Sequence, residues 1–572
     1  MGMDMDMGMN MNNTQAQTQT EPSDHSPMSY FAYDKHRGTI VAHIALMVLA
    51  WCFALPIAVM LSVARSRFAL LSQFFFLVFN AFGLLLGTIY NSQTPDLYQN
   101  NAHHKIGWIV TWVISAQIIM SLIFTYAGRG ENDTSAYERA QFLPVSTDDM
   151  AESPHSYPTG ICHEYRWSRD SGQGTERNSS SIHSRASSSS CPDEYEGFEK
   201  PEEQAPEMPA QARGGWFHST FFDRFLTSRV PQMVSGRVLR VLNFLYLVID
   251  RIILPFGFIA VVTGAVTYGG IMQSGANRIQ REREVFNGLA HFIKGGIFFW
   301  YGLLTLGRMM GCWADLGWAW NIKPTREIVG WKARVATGEF TESAVIFTYG
   351  ASNMFLEHLG SAGGAWTATD LEHVSISIMF FGGGLCGMLF ESKRVKNWLN
   401  SSVLRYPSHL EARGAPDAAW RVPDTQGVSL NPMPALVILL LGMMMGSHHQ
   451  TSMVSSMVHK QWGNMLVGFA LARGMTYVLL YIKPPTSYLP SRPPTEIIAA
   501  FCLTAGGLIF MLSTRNVIDA IEYYDLDAMF VFTVGMGLTA FIMAMEILAI
   551  SIKAWAVKRE SPPRLAPFRF PA

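Results

Sequence analysis

Nine histidines lie near the ends of apolar stretches: His43, His103, His104, His291, His358, His373, His448, His449 and His459. Imidazole is the commonest side-chain ligand for transition metals and an axial ligand of haem iron. Glu357 and Glu372 adjoin His358 and His373, and imidazole with carboxylate suits Zn, Fe, Cu or Mn. One spacing recurs. "HHKIG" gives His103 and Gly107, "HFIKG" gives His291 and Gly295, and "HKQWG" gives His459 and Gly463. Residues four apart share a helix face, and glycine below a histidine lets a flat macrocycle or a neighbouring helix approach the backbone. Helix-packing glycines beside interfacial histidines give the same spacing, so both accounts stand. The chain also opens on "MGMDMDMGMNMNN", where Met3, Met5, Met7, Met9 and Met11 alternate with other residues. Thioethers are soft ligands that select Cu(I).

The elements that must position these residues are membrane helices. The 572 residues are 49% hydrophobic and only 15% charged, a balance that soluble domains do not show. Eleven apolar stretches approach the roughly 20 residues of helix needed to cross hydrocarbon. They lie near 40–64, 68–90, 105–127, 239–270, 286–308, 341–357, 371–391, 433–447, 453–482, 495–513 and 526–554. The first begins near Ile40 and is long enough to span, so no cleaved secretory signal is visible. The sequence predicts an all-α polytopic membrane protein of about eleven transmembrane helices in two bundles. Its segments are a Met-rich tail (1–38), three helices of a first bundle (39–129), a Ser-rich loop (130–216), a fourth span (217–275), a seven-helix membrane domain (276–557) and a tail (558–572).

The loop holds "RNSSSIHSRASSSSCPDEYEGFEKPEEQ", too polar to bury a core, and reads as disordered. Its Arg-x-x-Ser and acidic-flanked serines suit kinases. Cations cluster in "ARSR", "RVLR", "KPTREIVGWKAR", "ESKRVK", "YIKPP" and "KAWAVKRE", all on one face if the spans alternate. The positive-inside rule makes that face cytosolic and puts the N-terminus outside or in a lumen. "NRIQRERE" disagrees, falling outside with three arginines. All nine histidines then sit at the outer face of a plasma membrane or endomembrane. Six cysteines lack CxxC spacing and the formal net charge is −1, which argues against a zinc ribbon, a disulfide framework or nucleic-acid binding. No nucleotide loop, catalytic triad, nicotinamide or flavin fingerprint is present, so a transmembrane oxidoreductase is the enzyme class left open. Glu546, deep in "FIMAMEILAI", is costly to bury unpaired, and either lines a pathway or bonds to another helix.

"AHIALMVLAWCFALPIAVMLSVAR" (Ala42–Arg65) resembles the first core helix of transmembrane cytochromes b of the b561 type, in Ala42, His43, Leu46, Met47, Ala50, Trp51, Pro56, Ala64 and Arg65. "AHHKIGWIVTWVISAQ" resembles that family's third core helix. The resemblance implies a b-type haem between His43 and His103, beside His104. It departs where Phe76 stands at the position of a haem histidine, and the fourth helix, "LNFLYLVIDRIILPFGFI", has none. The inner haem of that family would lack both ligands.

From "NGLAHFIKGGIFFWYGLLTLGR" through "MGSHHQTSMVSSMVHKQWGNMLVGFALAR" the chain resembles the seven-helix transmembrane protein 45 family. The two halves together look like the YTP-like family of fungal membrane proteins, and the first tail is similar to the Met-rich outer tails of copper transporters. Three functions fit. One is a redox protein with an outer haem and a second metal site among His291, Glu357, His358, His373, His448, His449 and His459, exchanging electrons with a small reductant or metal ion. Another is a Cu or Zn permease or receptor. The third is a scaffold whose histidines serve packing within the bilayer.

Overall fold

The computed structural model describes residues 29–127, 236–273, 278–356, 365–403, 423–447, 450 and 452–560. Every regular element among them is helical. Residues 1–28 of the Met-rich tail, the whole of the Ser-rich loop, and Glu357, His358, His448 and His449 lie outside the described residues. Lipid offers backbone groups no hydrogen bonds, so only helices that close their own ladders can span it one at a time. Among the described residues nine helices are long and apolar enough to cross a membrane, by length and composition.

The first bundle is α1 (Arg37–Val63), α2 (Ala69–Gln93), α3 (Ala102–Ala127) and α4 (Gly236–Gly269). The second comprises α5 (Arg278–Met310), α6 (Gly338–Leu356), α7 (Ala368–Glu391), α8 (Lys393–Val403), α9 (Met433–Ser447), α10 (Met453–Ile482), α11 (Thr495–Leu512), α12 (Arg515–Tyr523) and α13 (Ala528–Glu560). All eleven expected spans are helices. The two outside the nine are α9, which has 15 residues, and α6, whose first turns carry Glu339 and Glu342. Of the remaining two, α8 presents exposed Trp398 and Leu399 beside its basic residues, the pattern of an interfacial helix.

Sequence sets the local shape of α1. Pro56 cannot donate to the ladder and its ring crowds the preceding turn. The helix widens into a π segment at Leu49–Ala54 just before it, which removes the conflict without breaking the span. Trp51 within that segment donates from Nε1 to Asn80 Oδ1 at 3.0 Å on α2. The core of this bundle includes Leu55, Phe76, Val110, Ile114 and Ile253.

Two glycine pairs set helix spacing in the second bundle. A Cβ on Gly295 of α5 would lie 2.7 Å from Gly507 O on α11, and one on Gly507 would lie 2.6 Å from Gly295 O. Gly442 of α9 and Gly463 of α10 have the same relation, 2.7 Å in each direction. Small residues allow such backbone contact, and dispersion between close surfaces replaces a hydrophobic effect that lipid does not supply. The bundles join through α13. Phe541 meets Phe53 of α1 at 5.9 Å, Trp555 stacks on Phe68 at 5.9 Å, and Glu560 accepts from Ser66 Oγ (3.3 Å) and Arg67 N (3.2 Å).

At the far end of α5 and α10 from their histidines lies a buried ion-pair network. Arg308 of α5 donates to Glu339 at 2.7 Å and to Glu342 at 2.5 Å. Arg473 of α10 donates to Glu342 at 3.3 Å and to Glu496 of α11 at 2.9 Å. Both guanidinium groups lie over Trp320, at 4.4 and 4.9 Å from its ring centre. Glu339 and Glu496 sit in first turns of helices, where the roughly half positive charge of the helix end offsets the third carboxylate. Thr476 and Thr305 complete the hydrogen bonding of Glu496 and Arg473. The network therefore ties four helices, and removing one member strands the others. Arg473→Ala is expected to lower stability by about 3–5 kcal/mol. Thermal unfolding in detergent checks it, and Glu496→Gln in the Arg473→Ala background should cost less than in the wild type.

Candidate functional site

Each bundle brings one pair of histidines together from helices that share no extended backbone contact. In the first, His43 near the start of α1 faces His103 near the start of α3. Their ring centres are 6.4 Å apart and the planes meet at 77°. His43 Nδ1 lies 2.7 Å from Gly83 O on α2, and His103 Nδ1 lies 3.2 Å from Ala260 O on α4. A carbonyl only accepts, so in each bond Nδ1 is the donor and the lone pair rests on Nε2. The helices between them are cut back to admit the rings. A Cβ on Gly87 would come within 2.8 Å of the His43 ring, and one on Gly264 within 3.0 Å of the His103 ring.

His104 is turned outward and exposed, as the 100° step along a helix requires. Its backbone N–H bonds to Asn101 Oδ1 at 3.1 Å, which satisfies one of the open donors at the start of α3. Of the three residues expected to ligate here, two converge and the third lies on the exposed face. The connection before α3 is tied across the bundle by Tyr98, whose hydroxyl donates to Ile271 O at 2.7 Å. Burial pushes the Tyr98 phenol above its ordinary pKa, so it stays a donor.

The second pair is His291 of α5 and His459 of α10. Its ring centres are again 6.4 Å apart, at 86°. Each Nδ1 lies 2.8 Å from the carbonyl one turn back on its own helix, Asn287 O and Ser455 O. His459 is only 6% exposed. His373 of α7 is half-buried and within electrostatic reach of His291, whereas Glu372 is exposed. Glu357, His358, His448 and His449, expected beside them, lie outside the described residues, as do Met3, Met5, Met7, Met9 and Met11. Among the described residues no three His, Cys, Asp or Glu side chains converge in a way that could hold a bare metal ion.

The repeated His-x-x-x-Gly spacing divides on inspection. Gly295 and Gly463 admit neighbouring helices, and Gly107 faces open space. The glycines that accommodate the His43 and His103 rings, Gly87 and Gly264, stand on other helices and no spacing within one span reveals them. Phe76 is fully buried and meets Trp51 edge-on at 5.0 Å, so protein core occupies the place where the cytochrome pattern has its inner histidine.

Sequence reading missed the buried polar groups at the opposite end from the histidines. In the first bundle Asp250 of α4, 5% exposed, accepts from Ser62 Oγ at 2.7 Å and from Gln117 Nε2. Tyr246 donates to Ser62 at 2.7 Å and accepts from Gln73. In the second bundle the missed residues are Arg308, Glu339, Glu342, Arg473 and Glu496. A charge inside an apolar run is the signal that finds them, as Arg473 in "GFALARGMTYVLL" and Asp250 in "LYLVIDRIIL". Glu546 keeps Oε2 buried without a hydrogen-bond partner, so the expected bond to another helix is missing at that oxygen.

The family model for the C-terminal region of YTP1-like proteins matches residues 256–554, and a domain of unknown function matches residues 24–127. An uncharacterized membrane protein of Schizosaccharomyces pombe is 31% identical over 529 residues, covering 91% of this chain and 94% of that protein. An uncharacterized membrane protein of Saccharomyces cerevisiae is 37% identical over 348 residues, 59% of this chain and 52% of that one. Protein YTP1 of the same yeast is 23% identical over 235 residues, 40% and 39% of the two chains. No solved structure matches. With its apolar helices and these relatives, the chain is a multi-pass integral membrane protein and belongs to the YTP1-like family.

Proposed function

We propose that this protein is a membrane redox protein that binds a b-type haem between His43 and His103. The observation that carries the reading is the separation of the two rings. Two imidazoles on opposite sides of one metal atom have ring centres about 6.2 Å apart, from about 2 Å per metal–nitrogen bond and roughly 1.1 Å from each nitrogen to its ring centre. The observed value is 6.4 Å. The two Nδ1 bonds to backbone carbonyls hold the ring planes and leave the Nε2 lone pairs for a metal, as the free ring nitrogen of a ligating histidine is usually held by a carbonyl or carboxylate. With two histidines and no third His, Cys, Asp or Glu converging on them among the described residues, the set suits an iron already held by four porphyrin nitrogens.

Bound there, a b-type haem supplies one reversibly transferred electron. His43 and His103 would hold its iron. Gly83 and Ala260 fix their rings, and the basicity lent by those carbonyl bonds would lower the potential of a bound haem. Gly87 and Gly264 give the rings room, while Met47, Ile106 and Val261 of the surrounding core keep water away. With Phe76 and Trp51 filling the second position, a two-haem route across the membrane would lack its inner station in this bundle.

The redox reading is tested by the absorption spectrum of the full chain purified from cells supplied with haem. A Soret and alpha band that changes on dithionite reduction is expected, diminished in His43→Ala and in His103→Ala and unchanged in His104→Ala. A colourless wild-type protein overturns it. We place the histidine end outside and the C-terminus in the cytosol, on the distribution of cations. A cysteine introduced at His104 should react with an impermeant maleimide on sealed cells, and one at Lys558 only after permeabilisation.

A further inference from the structure

We infer that the second bundle holds a haem of its own, with iron between His291 and His459. The inference rests on residues separate from the pair already proposed and on four observations independent of the cytochrome resemblance, which ends with α4. The ring centres are 6.4 Å apart and the planes cross at 86°, so two trans imidazoles fit one metal atom here as they do at the other site. Both Nδ1 atoms are engaged by carbonyls at 2.8 Å, which fixes the tautomer with the lone pair on Nε2.

The two helices that carry the pair do not pack directly on each other. Gly295 and Gly463 draw α5 onto α11 and α9 onto α10, but α5 and α10 share no extended backbone contact. At the histidine level the two rings meet through side chains alone. The surroundings of the pair are apolar and aromatic. Phe510 lies 5.5 Å from the His291 ring and Trp462 lies 5.9 Å from that of His459, and the two stack on each other at 4.2 Å and 8°. A porphyrin face suits such a wall. A bare Cu or Zn ion would ask for a third or fourth donor, and no such convergent set occurs among the described residues.

Haem per chain, measured by the pyridine haemochrome method on the purified full-length protein, decides it. Two haems are expected in the wild type, one in His459→Ala, one in His43→Ala, and none in the double variant. His459→Met gives an arm that keeps the fold and a ligand: its haem should remain while one low-spin signal changes from bis-imidazole to imidazole–thioether character. Imidazole added to His291→Gly should restore the lost absorbance. A single haem in the wild type that His43→Ala removes and His459→Ala leaves in place overturns this inference and spares the first site. A single haem removed only by His459→Ala does the reverse. One haem accompanied by one copper ion in elemental analysis also overturns the haem assignment at His291 and His459.

Discussion

At membrane depth a polar side chain finds no water to bond to, and this constraint organises the whole molecule. Both bundles answer it by gathering polar groups into two layers with apolar core between. One layer holds the histidine pairs, each ring bonded to a backbone carbonyl. The other holds Asp250 with its neutral donors in the first bundle and the five-charge network in the second. The charged layer is the stiffer of the two, because its members bond to one another across four helices.

A single register links the layers. Gln117 follows His103 by fourteen residues, Thr305 follows His291 by fourteen, and Arg473 follows His459 by fourteen. Fourteen residues rise about 21 Å and complete nearly four turns, so both members of each pair occupy nearly one face. All three distal residues are buried and hydrogen-bonded into the charged layer. The spacing that first drew notice, histidine to glycine, is thus one part of a longer helical face with a polar group at each end.

Helices were easy to read because apolar length is a one-dimensional property. The expected boundaries 433–447 and 453–482 coincide with α9 and α10, and even α6, with two acidic residues in its first turns, was visible. Pairing was harder. That His43 would meet His103 followed from a family pattern, but nothing in one span announces which partner faces His291. Gly87 and Gly264 stayed hidden for the same reason, since a glycine's role depends on a helix elsewhere. The buried charges were missed differently. Arg473 interrupts an apolar run and Glu496 stands at the start of one, and counting residues over a window averages such charges away.

The junction at Glu560 has a consequence for how the protein is made. Its partners Ser66 and Arg67 lie in the loop after the first span, 494 and 493 residues earlier. At the roughly 5–20 residues per second of synthesis, that loop enters the membrane about 25–100 s before its partner exists. The first bundle must therefore wait, inserted but unclasped, while the second is assembled. This clasp belongs to the last turn of α13, and a chain cut short just before it would lose the Glu560 bonds to Ser66 and Arg67 while keeping Phe541 against Phe53.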